Sequence, residues 1–120
     1  MPSPGTVVLF EFPRTDQTAG KLRPALVISP TPGTYSDHLI CMISSQLNQA
    51  IDGFDEIVSG EDSDFDSSGL KESSVIRISR VAVVDEDILE GMIGEISDER
   101  LSRIQQQLSE WITGNVRRND

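Results

Sequence analysis

Apolar and polar positions along this chain fall into a series of short alternating runs, followed by one long run with a helical period. Residues 5–12 alternate, with Val7 and Leu9 on one side and Val8, Phe10 and Phe12 on the other, which predicts a strand that Pro13 stops. Ala25, Leu26, Val27 and Ile28 form a continuous apolar run, so a second strand over 24–29 should be covered on both faces. A third strand is predicted over 38–44, a short fourth over 54–58 and a closing one over 92–96. Residues 74–84 alternate at first and then turn apolar throughout. If that strand has no bulge, Val75, Arg77, Ser79 and Val81 share one face and Ile76, Ile78, Arg80 and Ala82 the other. Its two arginines then leave on opposite sides.

The helical run covers 98–112, where Leu101, Ile104, Leu108, Trp111 and Ile112 make one apolar stripe. Ser97 is its N-cap, and Asp98 and Glu99 suit the positive end of the helix dipole. The connectors are polar and rich in turn residues. Residues 14–21 read as an exposed, mobile hairpin loop. Residues 46–53 read as a loop or one helical turn, 59–68 as an acidic turn or mobile loop anchored only by Phe65, and 115–120 as a frayed tail. This order describes a mainly β fold in one domain, 1–120: a small, strongly curved sheet or β-barrel with a C-terminal α-helix that packs on the barrel or at a dimer seam.

Composition adds little to the fold but narrows the function. With 120 residues and 37% hydrophobic positions, one small core is expected, of the kind often completed by dimerisation. No secretory signal and no membrane-spanning run is apparent, so a cytoplasmic protein is expected. Cys41 is the single cysteine; it cannot form an intramolecular disulfide and reads as a small core residue, and no metal or cofactor is implied. The net charge of −10 counts against a general nucleic-acid binder. Up to Ala50, however, the acids Glu11, Asp16 and Asp37 are balanced by Arg14, Lys21 and Arg23. The acidity lies in two later blocks, from Asp52 to Asp66 and from Asp85 to Glu99. A local anion site in the neutral half is therefore allowed, and Arg23 is its natural centre. Pro24 biases Arg23 toward an extended conformation, at the mouth of the second strand and not inside it, where a planar guanidinium can grip a phosphate through two parallel hydrogen bonds.

Several segments, in order, carry a family resemblance: Pro4-Gly5-Thr6-Val7-Val8, Phe12-Pro13-Arg14-Thr15-Asp16, the stretch from Gly20 to Ser29 around Arg23-Pro24, Ile40 to Gln46, Gly69 to Arg77, and Ile93 to Ser97. The chain resembles the MazF/PemK family, endoribonuclease toxins (mRNA interferases) of type II toxin-antitoxin modules. The resemblance implies an SH3-like or CcdB-like barrel with a C-terminal helix, normally a homodimer. It also implies metal-independent cleavage of single-stranded RNA, in which the 2′-OH attacks the neighbouring phosphorus and leaves a 2′,3′-cyclic phosphate and a 5′-OH. Arg23 aligns with the family's phosphate-stabilising arginine, Ser44 with a residue that donates to the same phosphate, and Arg77 with a strand arginine used in catalysis by some members. Lys21, Arg14, Asp16, Gln17, Ser45 and Gln46 are then expected to contact the RNA.

The chain departs from its relatives where a general base would sit. Gln17 and Ser79 stand where some members carry acids, and neither can accept a proton at neutral pH. The base is therefore unassigned, with Asp16 and His38 as candidates and a structural role preferred for His38. The leading reading is a sequence-specific endoribonuclease toxin neutralised by a cognate antitoxin. The alternatives are a catalytically weakened binding module acting through antitoxin, RNA or promoter-DNA contacts, and, least favoured, a CcdB-like gyrase inhibitor.

Overall fold

The computed structural model describes residues 2–12 and 21–116. Among the described residues, six strands form one antiparallel sheet: β1 (Thr6–Phe12), β2 (Lys21–Pro30), β3 (Asp37–Ser44), β4 (Glu56–Val58), β5 (Ser74–Asp85) and β6 (Gly91–Glu95). Their spatial order is β4-β5-β3-β2-β1-β6. The described residues also form two helices, the single turn α1 (Phe65–Ser68) and the long α2 (Asp98–Ile112), with short 3-10 turns at Leu47–Gln49 and Glu86–Ile88. The fold is thus mainly β, a curled half-barrel with a C-terminal helix, as the residue pattern implied. No described helix is long and apolar enough to cross a membrane.

The alternation along β2 explains the two-sided core. Leu26 and Ile28 join Val7, Cys41, Ile43, Ile76 and Ile104 in one cluster, while Ala25 and Val27 join Val8, Phe10 and Ile40 in another. α2 covers the first of these. Its N-cap is as expected, with the Ser97 hydroxyl accepting from the Arg100 N–H, and Ile104 and Leu108 are buried. Trp111 packs edge-on against Phe54, and Ile112 remains largely exposed at the helix end.

The acidic segment after β4 is not the loose excursion its composition suggests. Arg100 reaches it and the adjoining β4 from the first turn of α2, and uses all five of its guanidinium protons on the two. Nε and Nη2 bind Asp64 at 2.8 and 3.1 Å, Nη2 also binds Asp62 at 3.0 Å, and Nη1 binds Glu56 and the Ile57 carbonyl at 3.1 and 2.9 Å. The hydrogen bonds from Arg100 hold the buried Asp64 carboxyl down at about 2, against an ordinary 3.8. Burial opposes the Arg100 charge, but Asp64, Glu56 and Asp62 outweigh it and raise the guanidinium pKa.

So tethered, the segment crosses from β4 to β6 and bridges the two sheet edges. α1 lies so close to β6 that a Cβ on Gly94 would collide with the Ser67 and Ser68 carbonyls, and one on Gly69 with the Ile93 carbonyl. Gly69 also holds φ at 75°, which favours glycine. The contact needs both glycines.

Candidate functional site

The site begins where β2 starts and β3 ends. Arg23 lies within β2 and not ahead of it: the strand starts at Lys21, and Arg23 pairs with Phe10 on β1. Pairing of β2 with β3 begins only at Ala25 and Met42. Pro24 has no N–H to offer that ladder, so the two strands part at this point. Extending the register by two residues brings Ser44 opposite Arg23. The Ser44 hydroxyl oxygen accepts from the Gln46 N–H at 3.1 Å, which fixes its position and leaves its proton free to donate.

β5 contributes two arginines, and here the structure corrects the sequence pattern. Cys41 pairs with Val81 and Met42 with Arg77, so one step on β3 spans four on β5 and leaves Ile78, Ser79 and Arg80 as extra residues. An odd insertion reverses the alternation beyond it. Arg77 and Arg80, expected on opposite sides, line one cavity instead. The Ile78 N–H that the bulge frees from the ladder donates to the Asp55 carboxylate at 3.0 Å.

Two cavities adjoin at Arg23 and Ser44. The first, of about 430 Å³, has an apolar floor that includes Leu9, Pro24, Leu70 and Ile93. Lys21, Ser45, Lys71 and Glu72 stand around it. The second, of about 450 Å³, is polar and adds Gln46, Gln49, Arg77 and Arg80, with Met42. Glu72 is the one carboxylate among the described residues of both linings.

The distribution of positive charge is informative in an acidic chain. Of the described cations, Arg100 and Arg103 are held by Glu56, Asp62 and Asp64 on the far side of the segment. The other five, Lys21, Arg23, Lys71, Arg77 and Arg80, all line these two cavities, and among the described residues none has an acidic partner. Arg77 makes one long contact, Nη1 to the Gln49 side-chain oxygen at 3.5 Å, and its buried Nε has no partner. Unpaired cations gathered at a concave surface create a local field suited to an anion.

The structure therefore brings together Lys21, Arg23, Ser44, Ser45, Gln46 and Arg77 from the sequence-based set and adds Arg80, Lys71 and Glu72. Arg14, Asp16 and Gln17 lie outside the described residues. His38 is not part of the site. It is buried six residues from Ser44 at the opposite end of β3, roughly 20 Å along an extended strand, and its Nε2 meets Glu86 at 3.2 Å. Cys41 is fully buried; burial, aided by Asp55, raises its thiol pKa and leaves it inert.

Comparison with known proteins agrees with this fold. A family model described as "PemK-like, MazF-like toxin of type II toxin-antitoxin system" matches residues 3–112. Among solved structures, the MazF chain of a MazE-MazF complex from Deinococcus radiodurans is similar at 21% identity and a TM-score of 0.67, covering 94% of this chain and 96% of that one. A structure described as an endoribonuclease in complex with its cognate antitoxin, from Mycobacterial species, is similar at 11% identity and a TM-score of 0.68, covering 98% of this chain and 100% of that one. A search of curated proteins finds no match.

Proposed function

The chain belongs to the PemK-like, MazF-like toxin family of type II toxin-antitoxin systems, and we propose that it cuts single-stranded RNA at the junction of the two cavities, around Arg23 and Ser44. The observation that supports this reading best is the gathering of all five acid-free cations of the described chain at that junction. In this reading the ribose 2′-OH attacks the adjacent phosphorus. Arg23 bears on the equatorial oxygens of the phosphorane and donates a hydrogen bond to the departing 5′ oxygen, which takes its proton from solvent water. The free Ser44 proton goes to a non-bridging oxygen, and Arg77 adds charge from the second cavity. Glu72 accepts the 2′-OH proton, a role left open by Gln17 and Ser79. The products are a 2′,3′-cyclic phosphate and a 5′-OH, and no metal takes part in these steps.

The partner follows from the family. A cognate antitoxin is the proposed partner that holds the protein inactive; similar structures include a MazE-MazF complex and an endoribonuclease in complex with its cognate antitoxin. A homodimer is the proposed assembly. Gln17 and Ser79, which stand where some relatives carry acids, favour a second reading, a module that binds RNA or antitoxin without cutting.

One assay separates the two. Purified, antitoxin-free protein is incubated with a long single-stranded RNA in EDTA and the ends are mapped. Discrete cuts bearing 5′-OH ends, absent with Arg23→Ala, are expected. Uncut RNA at high concentration of a folded protein refutes the nuclease.

A further inference from the structure

The two cavities that meet at Arg23 and Ser44 are chemically unlike. A phosphodiester held at their junction carries a nucleoside on each side, so the RNA strand leaves it in both directions. On one side it meets an apolar floor with a cationic rim, suited to a base. On the other it meets two arginines and two glutamines.

We infer that the second cavity is a separate phosphate subsite, in which Arg80 grips the phosphodiester next to the one being cleaved and so sets the register of the RNA across Arg23. This rests on the nuclease reading above. Three observations carry it. The three-residue bulge in β5 turns Arg80 toward the same cavity as Arg77, a placement that regular alternation would forbid. The Arg80 side chain is exposed and has no hydrogen bond or ion pair among the described residues, in a chain with twenty acids available to pair with it. No carboxylate lies among the described residues of this cavity, so nothing there competes with a phosphate.

Beside it, Gln46 and Gln49 offer amides that can hydrogen-bond the sugar or base between the two phosphates. Arg80 is therefore a binding and positioning residue. It acts on how tightly and in which register the strand lies, and not on the bonds that change.

The test uses a fluorescently labelled, mixed-sequence RNA methylated at every 2′-oxygen, which cannot be cut because its nucleophile is blocked. Its binding to wild type, Arg80→Gln and Arg80→Lys is followed by anisotropy between 50 and 200 mM salt. Cleavage of the unmodified RNA is measured in parallel. Loss of one phosphate contact should make the slope of log affinity against log salt shallower by about 0.7 in Arg80→Gln and weaken binding by about tenfold.

KM should rise with kcat within about twofold of wild type, and Arg80→Lys should restore the slope. Melting temperature should not move, because the side chain holds no other residue.

Wild-type affinity, salt slope and KM in Arg80→Gln, with cleavage intact in the wild type, overturn the subsite and leave the nuclease reading standing. Loss of kcat at unchanged KM overturns it as well. So does loss of binding to a poly-glutamate peptide alone, which would assign the cavity to an acidic protein tail. A wild type that neither binds nor cuts RNA overturns both.

Discussion

Two arginine-bearing regions of this molecule use the same side chain in opposite ways. Arg100 spends every guanidinium proton on Asp64, Asp62, Glu56 and a carbonyl, and its charge is consumed in joining α2 to the acidic segment. Arg23 and Arg80 spend none on the described residues and stand beside a cavity. The difference shows that in an acidic protein the partners of a cation say more than its conspicuousness in the sequence. A saturated guanidinium supports the fold, and an unsaturated one beside a cavity is available to a ligand.

Arg100→Ala strands Asp64 in a buried position without its partner and should cost about 3–5 kcal/mol of stability, read as a lower urea midpoint. Arg23→Ala should leave that midpoint in place while cleavage falls roughly 10²–10³-fold. If Arg23→Ala destabilised the protein as much as Arg100→Ala, the functional reading of the cavity would fail.

Two substitutions sharpen the site itself. Ser44→Ala should slow cleavage by about 10²-fold yet cost only about 1 kcal/mol, the worth of the Gln46 N–H bond it removes; a large melting shift would instead make Ser44 a turn cap. Glu72→Gln should slow cleavage on the order of 10²-fold with the melting temperature unchanged. Cleavage at the wild-type rate would move the base elsewhere.

The smallest effect belongs to the structural region. The Asp64 pKa is depressed on folding, so its contribution is fully present above the ordinary 3.8 and is lost as pH falls through about 2. Acid titration of stability should lose about 2 kcal/mol across that window, and Arg100→Ala should remove the step.

Part of this structural region was visible in the residue pattern. Arg100 sits at the third position after the Ser97 N-cap, where the helix dipole disfavours a cation. It also shares a face with Ile104 and Leu108, at spacings of four. A local rule broken on the buried face of a helix points to a distant partner, but not to which one: Asp64 lies 36 residues earlier among many acids. The closing role of Gly69 and Gly94 was equally hidden, because each glycine is required by a backbone brought to it from elsewhere.

Features that depend on neighbours along the chain are legible in the residues alone. The strands, the long helix α2, the Ser97 cap and the two-sided burial of 25–28 follow from periodicity, sterics and local hydrogen bonding, whereas the single turn α1 stands where a loop was expected. Features that depend on pairs of distant segments emerge only when the chain is folded. The register of β5 against β3 is a property of both strands and of the Asp55 carboxylate that accepts from the bulge. No alternation read from one strand could show that Arg80 turns to join Arg77 and Arg23, or that Glu72 lines the first cavity with Arg23.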